Sequence, residues 1–582
     1  MWLLLAETFV ITVSPGPDSL PRERLARILE LVTAAHFLFP LTLVFCAVAG
    51  FLLGRRIEPL VLPLAALIAA IGLQAFGSHW RELTLATAIT VFTHLAAGAV
   101  AYSFPDNSWD GLAYQQEAVV RLAAGWNPVT EGASRYGSGE EIFLDHYPKA
   151  SWVMAAAVLK ATGHIEAGKL FNLTLMIAAA CFCLSALLRL TRLSIGWASV
   201  LSVLVALNPV VVYQSTTFYV DNLVASSLTV MVAGLVIFLA APRWQAMLIA
   251  MLAAALAINL KFTALVYAAI LLGLAALIVW RQRGLTTAVQ FSAAAATAGV
   301  IGMIVLGYSP YVHNLVDHHD PFYPATPKYG VLDTTHQVPA NLLHADRVTR
   351  FLVSSFSLSE TVRPPQGTRS KFPFWIAPQE RRGLYSADLE SGGFGPLYGA
   401  LLLIAGVAAV SLGVTRSTRR TAGIVLLICG CVLATIFVHQ ETWWARYVPQ
   451  AWLLPMVIAI PSLAALRRSF QWWLGCGLVG LAVVNLLVVA ANVGWRQLKY
   501  ARDIRVTLQQ MSSTEPPVNV HFGPFKSLRQ RLVEANVDFR VIDSPAEIGL
   551  AGQVRYPIPT PGNLAFWLEG QPRLGYRMRS HR

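Results

Sequence analysis

The stretch VDNLVASSLTVMVAGLVIFLAAPRWQAMLIAMLAAALAINLKFTALVYAAILLGLAALIVWRQR (residues 220–283) decides the fold. It holds three long apolar runs, at 220–241, 244–260 and 263–280, separated only by short polar punctuation. A helix needs roughly 20 apolar residues to cross a ~30 Å hydrocarbon core, so each run reads as a membrane span. The runs lack the period-2 alternation of barrel strands and are rich in Ala, Leu, Gly and Val. Working outward, similar runs occur at 31–54, 58–77, 84–103, 167–189, 194–214, 287–307, 394–415, 421–439, 449–466 and 472–494. The chain is 55% hydrophobic and 13% charged, with mean hydropathy +0.56. This is far from the composition of a soluble domain. An all-α polytopic membrane protein of about 13 spans follows.

Sidedness comes from arginine. With that count, Arg22, Arg24, Arg27, Arg189, Arg192, Arg243, Arg281, Arg283, Arg416, Arg419, Arg420, Arg467 and Arg468 fall on one side, which the positive-inside rule makes cytoplasmic. Arg55 and Arg56 are the exception. The net charge of +13 is therefore a topology signal and not a nucleic-acid signal. Three segments are left facing outward: 104–166, 308–393 and a tail from 495. The chain divides into an N-terminal segment 1–30, a transmembrane domain 31–494 and an appendage 495–582. The appendage carries strand-like residues at 518–522 and 539–542 around a helix at 527–535. Met1 to Val13 is apolar but short and has no basic flank, which makes it a poor signal peptide; an interfacial segment and an artefact of the assigned start codon are the two readings left open. All six cysteines, Cys46, Cys181, Cys183, Cys429, Cys431 and Cys476, lie inside apolar runs and read as packing.

The chemistry should lie in the outer segments, because charge at membrane depth is costly and marks function. Asp106 and Asp110 open the first outer loop in Phe104-Pro-Asp-Asn-Ser-Trp-Asp110. At i, i+4 spacing they share one face of a helix begun early. Such a pair suits general base work or a divalent cation; equally, Asp106, Asn107 or Ser108 could cap the helix that follows. That helix, 110–126, and the apolar piece 150–162 are expected at the membrane interface. Asp221 opens a span at its outer end, where capping alone would explain it and a catalytic or metal role is equally open. Lys261 is placed as a counter-ion for a lipid phosphate, although its stem could simply snorkel. His146 and Lys149, in Asp145-His-Tyr-Pro-Lys149, read as contacts to phosphate or acceptor. Tyr114 and Tyr219, beside the acids in sequence, are expected to bind substrate. Arg446 offers bidentate phosphate recognition in a loop whose Trp443 and Trp444 suit an aromatic belt. His313, His318 and His319 match no strong zinc spacing. No nucleotide-binding or esterase motif is present.

These residues, in this order, resemble the GT-C superfamily of integral membrane glycosyltransferases, which includes protein O-mannosyltransferases and aminoarabinose transferases. The resemblance rests on Asp106 and Asp110 after a span, Asn208-Pro209 followed by Asp221, and Leu260-Lys261-Phe-Thr263. It continues through Pro310-Tyr-x-x-Asn314, Asp320-Pro-Phe-Tyr-Pro324, Gly392-Gly-Phe-Gly-Pro396 and Arg446-Tyr447, covering about 84–494. It implies a bacterial inner-membrane enzyme, with site and C-terminus facing outward, that moves a sugar from a polyprenyl-phosphate donor to a lipid, glycan or protein hydroxyl with inversion. Asp110 or Asp106 would be the base, and Lys261 and Arg446 would neutralise the leaving phosphate. Asp221 would complete the site or, with Asp106, hold a divalent cation such as Mg or Mn, which some members use. In better-known members the acid follows the first span; here it follows about the third. A lipid-linked glycan polymerase or ligase, or a lipid or solute transporter, are the alternatives.

Overall fold

A computed structural model describes residues 19–77, 79–133, 140–330, 337–359, 367–384, 386–388, 390–513, 517–542, 555–557 and 565–567. The interfacial reading of Met1 to Val13 lies outside these. Eight helices among the described residues are long and apolar enough to cross a membrane. They contain α1 (Ser19–Leu52), α3 (Trp80–Ser103), α7 (Leu170–Leu190), α10 (Asp221–Ala240), α12 (Phe262–Arg283), α13 (Leu285–Val300), α17 (Arg419–Phe437) and α19 (Phe470–Ser512). Shorter apolar helices, α2 (Val61–Gln74), α8 (Ile195–Ala206), α11 (Trp244–Ile258), α16 (Tyr398–Val414) and α18 (Leu453–Ala464), occupy the remaining expected spans. Short helices α5 (Glu141–His146), α14 (His313–His318) and α15 (Arg347–Ser355) lie in the first two outer loops. The protein is a multi-pass all-α membrane protein.

Small residues let these helices approach closely. A Cβ on Gly234 of α10 would sit 2.7 Å from the Ala246 carbonyl of α11, the close approach that membrane helices favour. The run expected as one span at 194–214 is two helices, α8 and α9 (Pro209–Gln214). Pro209 has no N–H to continue the ladder, and Asn208 restarts it by accepting from Val210 N–H at 2.9 Å while donating to the Pro449 carbonyl at 2.6 Å. This break sets Gln214 and the loop before α10. One pair of histidines, His36 and His94, stacks inside the bundle at 5.0 Å between ring centres.

Arg55 and Arg56 do lie at the opposite end from the other arginines. A Cβ on Gly125 would meet the Arg56 side chain at 2.8 Å, and Asn127 donates to the Phe51 carbonyl at 3.0 Å. Both helices expected at the interface in the first outer loop form, α4 (Gln116–Ala124) and α6 (Ala150–Thr162). Neither faces lipid: residues 116–123 and 152–159 are all buried in protein. The polar stripe expected to face water on α4 is spent on ion pairs, with Glu117 bound by Arg121 at 2.8 Å and by Arg529 of the appendage at 2.8 and 3.0 Å.

Helix α19 has 43 residues, about 64 Å at 1.5 Å per residue, and runs on past 494 into the appendage. There β1 (Val518–Val520) pairs parallel with β2 (Phe539–Val541), in register Val518 to Phe539, around α20 (Leu528–Glu534). This small α/β unit packs on Leu112 and Ala113 through Tyr500, Ile504, Val518 and Phe525. It covers the start of the 104–166 segment, with Ser527 Oγ donating to the Leu112 carbonyl at 2.7 Å.

Candidate active site

The segments that open α10 and α12, the loop before α18, the start of the first outer loop and the end of the second converge on one guanidinium, Arg446. Its Nη1 lies 2.9 Å from Asp388 and 3.2 Å from Asp110, and its Nε lies 4.0 Å from Asp221. Three rings surround it, Trp444 at 4.7 Å, Tyr219 at 5.0 Å and Tyr447 at 5.2 Å from their centres. Burial alone would push a guanidinium's pKa down; the Asp388 and Asp110 carboxylates hold it well above its ordinary value instead. Burial pushes the Tyr219 and Tyr114 hydroxyls well up, so both stay protonated donors. Tyr114 Oη donates to Asp110 at 3.3 Å.

The two acids expected to act as a pair part company. Asp106 is fully buried and is not helical. Its Oδ1 accepts from Ser108 N–H and its Oδ2 from Phe218 N–H, each at 2.9 Å, so it ties the first outer loop to the α9–α10 turn. Its own N–H donates to Glu166 at 3.0 Å, and Arg531 of the appendage pairs with Glu166 at 2.6 Å. Burial raises the Asp106 pKa above the ordinary carboxylate value, against the pull of Lys169. Gly111 is required by this turn, since a Cβ there would lie 2.1 Å from Asp106 Oδ2. The shared helical face predicted from i, i+4 spacing fails because Pro105 and the Asp106 turn delay the helix until after Ser108. Asp110, by contrast, is 20% exposed at its side chain and faces the cluster.

Asp221 is the first residue of α10. It is held by Lys261 at 2.5 Å and by Gln214 at 3.0 Å. Lys261, expected to be free for phosphate, is thus paired in the resting structure, with its ammonium 4.1 Å above the Tyr447 ring. The metal reading of Asp106 with Asp221 meets two acids whose oxygens already have partners; among the described residues no group of three or more His, Cys, Asp and Glu is placed to hold a metal ion. His146 bonds Asn314 at 2.7 Å and packs on Tyr323. Lys149 donates to the Asp145 and Tyr147 carbonyls at 2.7 and 3.0 Å. Burial lowers its pKa to about 7. Tyr147 stands between this pair and the Arg446 cluster, edge-on to Tyr114.

Two features escaped sequence reading. Asp388 lies in the second outer loop with no motif around it, and burial pushes its pKa up to about 7 despite Arg446. Trp443 and Trp444, read as an interfacial belt, are buried and stacked at 5.1 Å; the loop folds inward because the Trp443 carbonyl accepts from Ser354 and its indole donates to Glu441. Around the cluster, Tyr219 Oη, Trp444 Nε1 and both amide atoms of Asn222 are buried with no hydrogen-bond partner. Tyr219 and Trp444 are the two of these whose rings lie on Arg446, so their donors stand ready for a ligand there.

No family model matches this chain, and no curated protein matches it. Among solved structures, that of ArnT from Cupriavidus metallidurans in the apo state is similar at 13% identity, TM-score 0.43, over 79% of this chain and 86% of that one. The same protein bound to undecaprenyl phosphate gives 13% identity and TM-score 0.40 over 78% and 86%.

Proposed function

We propose that the chain is a membrane glycosyltransferase that moves a sugar from a polyprenyl-phosphate donor to a lipid, glycan or protein hydroxyl on the extracytoplasmic face. The observation that carries this reading is a buried arginine held among three carboxylates and three aromatic rings at one end of a membrane bundle. A sugar phosphodiester carries one negative charge, and the phosphate monoester that leaves carries two. The transfer therefore needs a cation where that second charge develops, and low dielectric makes it count for more than in water. Arg446 and Lys261 supply two.

In the proposed reaction the acceptor O–H gives its proton to Asp110, whose carboxylate Arg446 and Tyr114 hold at the cluster, as its oxygen attacks the anomeric carbon from the face opposite the phosphate. The C–O bond to phosphate breaks with both electrons going to the leaving oxygen, so the configuration inverts. Lys261 exchanges its Asp221 partner for the phosphate, and Arg446 exchanges Asp388. Lys149 and His146, on the far side of Tyr147, would bind the lipid end of the donor or the acceptor. A Mg or Mn ion would enter through Asp221 only if Lys261 leaves it.

The test is mass spectrometry of polyprenyl-phosphate sugars and envelope glycans in a deletion strain complemented with wild type or Asp110→Asn, with membrane levels matched. A lipid-phosphate sugar that accumulates on deletion, with one glycan modification lost, and restoration by wild type alone, supports the reading. Unchanged lipids and glycans on deletion would sink it in favour of transport. Full restoration by Asp110→Asn would remove Asp110 as the base.

A further inference from the structure

At the other end of the bundle, the end the positive-inside rule makes cytoplasmic, α1, α7 and α11 enclose a cavity of about 170 Å³. Its lining includes Arg27, Glu30, Phe76, Gly77, Arg189 and Arg243. One water needs only ~10–15 Å³ by the same measure, so the space admits something the size of a tetrahedral headgroup. Arg189 is the built part of the wall. Its side chain is 8% exposed and is clamped by Glu30 through two bonds, at 2.6 and 3.0 Å. Arg27 and Arg243 are held only loosely, Arg27 at 3.7 Å from Glu82 and Arg243 at 3.4 Å from Glu23. Both distances exceed the ~2.7–2.9 Å of a charge-assisted bond. Three arginines and one glutamate line the space, and Glu23 and Glu82 at its rim approach the arginines only at 3.4–3.7 Å, so an anion inside can displace them.

Its setting is that of a membrane interface. Phe76 stacks on Trp244 at 6.0 Å, and both Trp244 and Trp80 are exposed beside the mouth. From there the lipid-side face of α2 presents Ile71, Leu67 and Leu64, continued by Leu60 just before the helix, all exposed and spaced along one helical stripe. A headgroup in the cavity would leave its acyl chains lying along this stripe. Basic pockets between membrane helices on this side suit anionic headgroups.

We infer that this cavity binds the phosphate of an anionic phospholipid, held by Arg27, Arg189 and Arg243 with its chains along α2. The site is separate from the Arg446 cluster, and its test does not depend on any transferase activity. The full-length protein is purified in detergent and examined by native mass spectrometry with phosphatidylglycerol or phosphatidylcholine added. Thermal midpoints are measured alongside with each lipid and with inorganic phosphate.

The expected result is roughly tenfold preference for phosphatidylglycerol in wild type. It should be lost in Arg27→Gln/Arg243→Gln and kept in Arg27→Lys/Arg243→Lys and in Arg281→Gln outside the cavity. The glutamine variant should melt near wild type in phosphatidylcholine, because both arginines are about 40% exposed. Equal retention of the two lipids by wild type, or an unchanged preference in the glutamine variant, overturns the proposal. Stabilisation by inorganic phosphate equal to that by phosphatidylglycerol, lost in the same variant, overturns the lipid assignment and leaves a site for free phosphate. A glutamine variant that melts far below wild type is decided by the lysine variant, whose loss of preference would also count against the proposal.

Discussion

Asp388 should make anion binding at Arg446 depend on pH, and the sign is fixed by the site. Burial holds its carboxyl up to about 7, so below that value it is protonated and Arg446 has one competitor fewer. Above it, the carboxylate 2.9 Å from Arg446 must be displaced before a phosphate can bind. Two unit charges at this range interact by about 6 kcal/mol at an effective dielectric of 20. Because Asp388 is 31% exposed, solvent screening reduces that to about 1–2 kcal/mol, a factor of roughly 5 to 30 in affinity. A phosphodiester has no second ionisation, so the titration belongs to the protein. The assay is calorimetric titration with a short-chain prenyl phosphodiester across about two pH units centred on that value. Wild-type Kd should rise with pH by about tenfold, with proton uptake on binding near neutrality. Asp388→Asn should bind tightly with a flat profile. The same slope in Asp388→Asn, or a flat wild type, would refute the reasoning. The linked effect on folding has the matching sign. Its folded value lies above the ordinary aspartate value, so the unfolded chain ionises first and stability falls as pH rises from about 4 to 7.

Further outcomes follow from the same geometry. Asp106→Asn removes one of two buried acceptors for backbone N–H groups and should lower stability by about 1–3 kcal/mol. Asp110→Asn should instead leave the melting midpoint near wild type and cut kcat about 10²- to 10⁴-fold; the reverse pattern would exchange their roles. Gly111→Ala, with its Cβ 2.1 Å from Asp106 Oδ2, should destabilise by about 1–3 kcal/mol through forced displacement of the turn, read by thermal unfolding in detergent. Arg531→Met leaves buried Glu166 with Lys169 as its remaining cation and should cost about 1–3 kcal/mol, with protease cutting between α19 and the appendage as the readout. Lys261→Gln should raise KM for the donor and leave Asp221 bound to Gln214; an unchanged KM would remove Lys261 from phosphate binding.

The fold was legible because its solvent writes the rule. Eight of the expected spans coincide with helices among the described residues long and apolar enough to cross a membrane, and the others with shorter apolar helices, broken in two at 194–214. The appendage, with its strand, helix and second strand, was legible from alternation alone. What failed was local. Periodicity put a polar face on α4 and so sent it to the interface, whereas Glu117 and Arg121 serve each other and Arg529 inside the protein; a charge pattern does not say whether its partner is water or another segment. Spacing put Asp106 beside Asp110, but a carboxylate that accepts two backbone N–H groups belongs to the turn and not to the helix. Asp388 was invisible because nothing in Ser386-Ala-Asp388 marks it. Only the fold of the second outer loop brings it to Arg446.

The arrangement at Arg446 has a consequence for how such a site rests and fires. Three acids in place of one would be wasteful if their task were only to position an arginine, since burying each charge costs several kcal/mol before pairing returns it. Their spacing resolves this. Asp221 rests on Lys261 and Gln214, Asp388 is poised to take a proton near neutrality, and Asp110 is shared between Arg446 and Tyr114. An arriving phosphate can therefore replace one carboxylate at the guanidinium without leaving a buried charge alone, because Asp388 becomes neutral as it is displaced. In the proposed reaction Lys261 would turn from Asp221 to the phosphate as the leaving group acquires its second negative charge, when the acceptor proton passes to Asp110, leaving Asp221 to Gln214. The cluster keeps its net charge nearly constant from the resting state to the products, which a low-dielectric site needs if substrate and product are both to leave it.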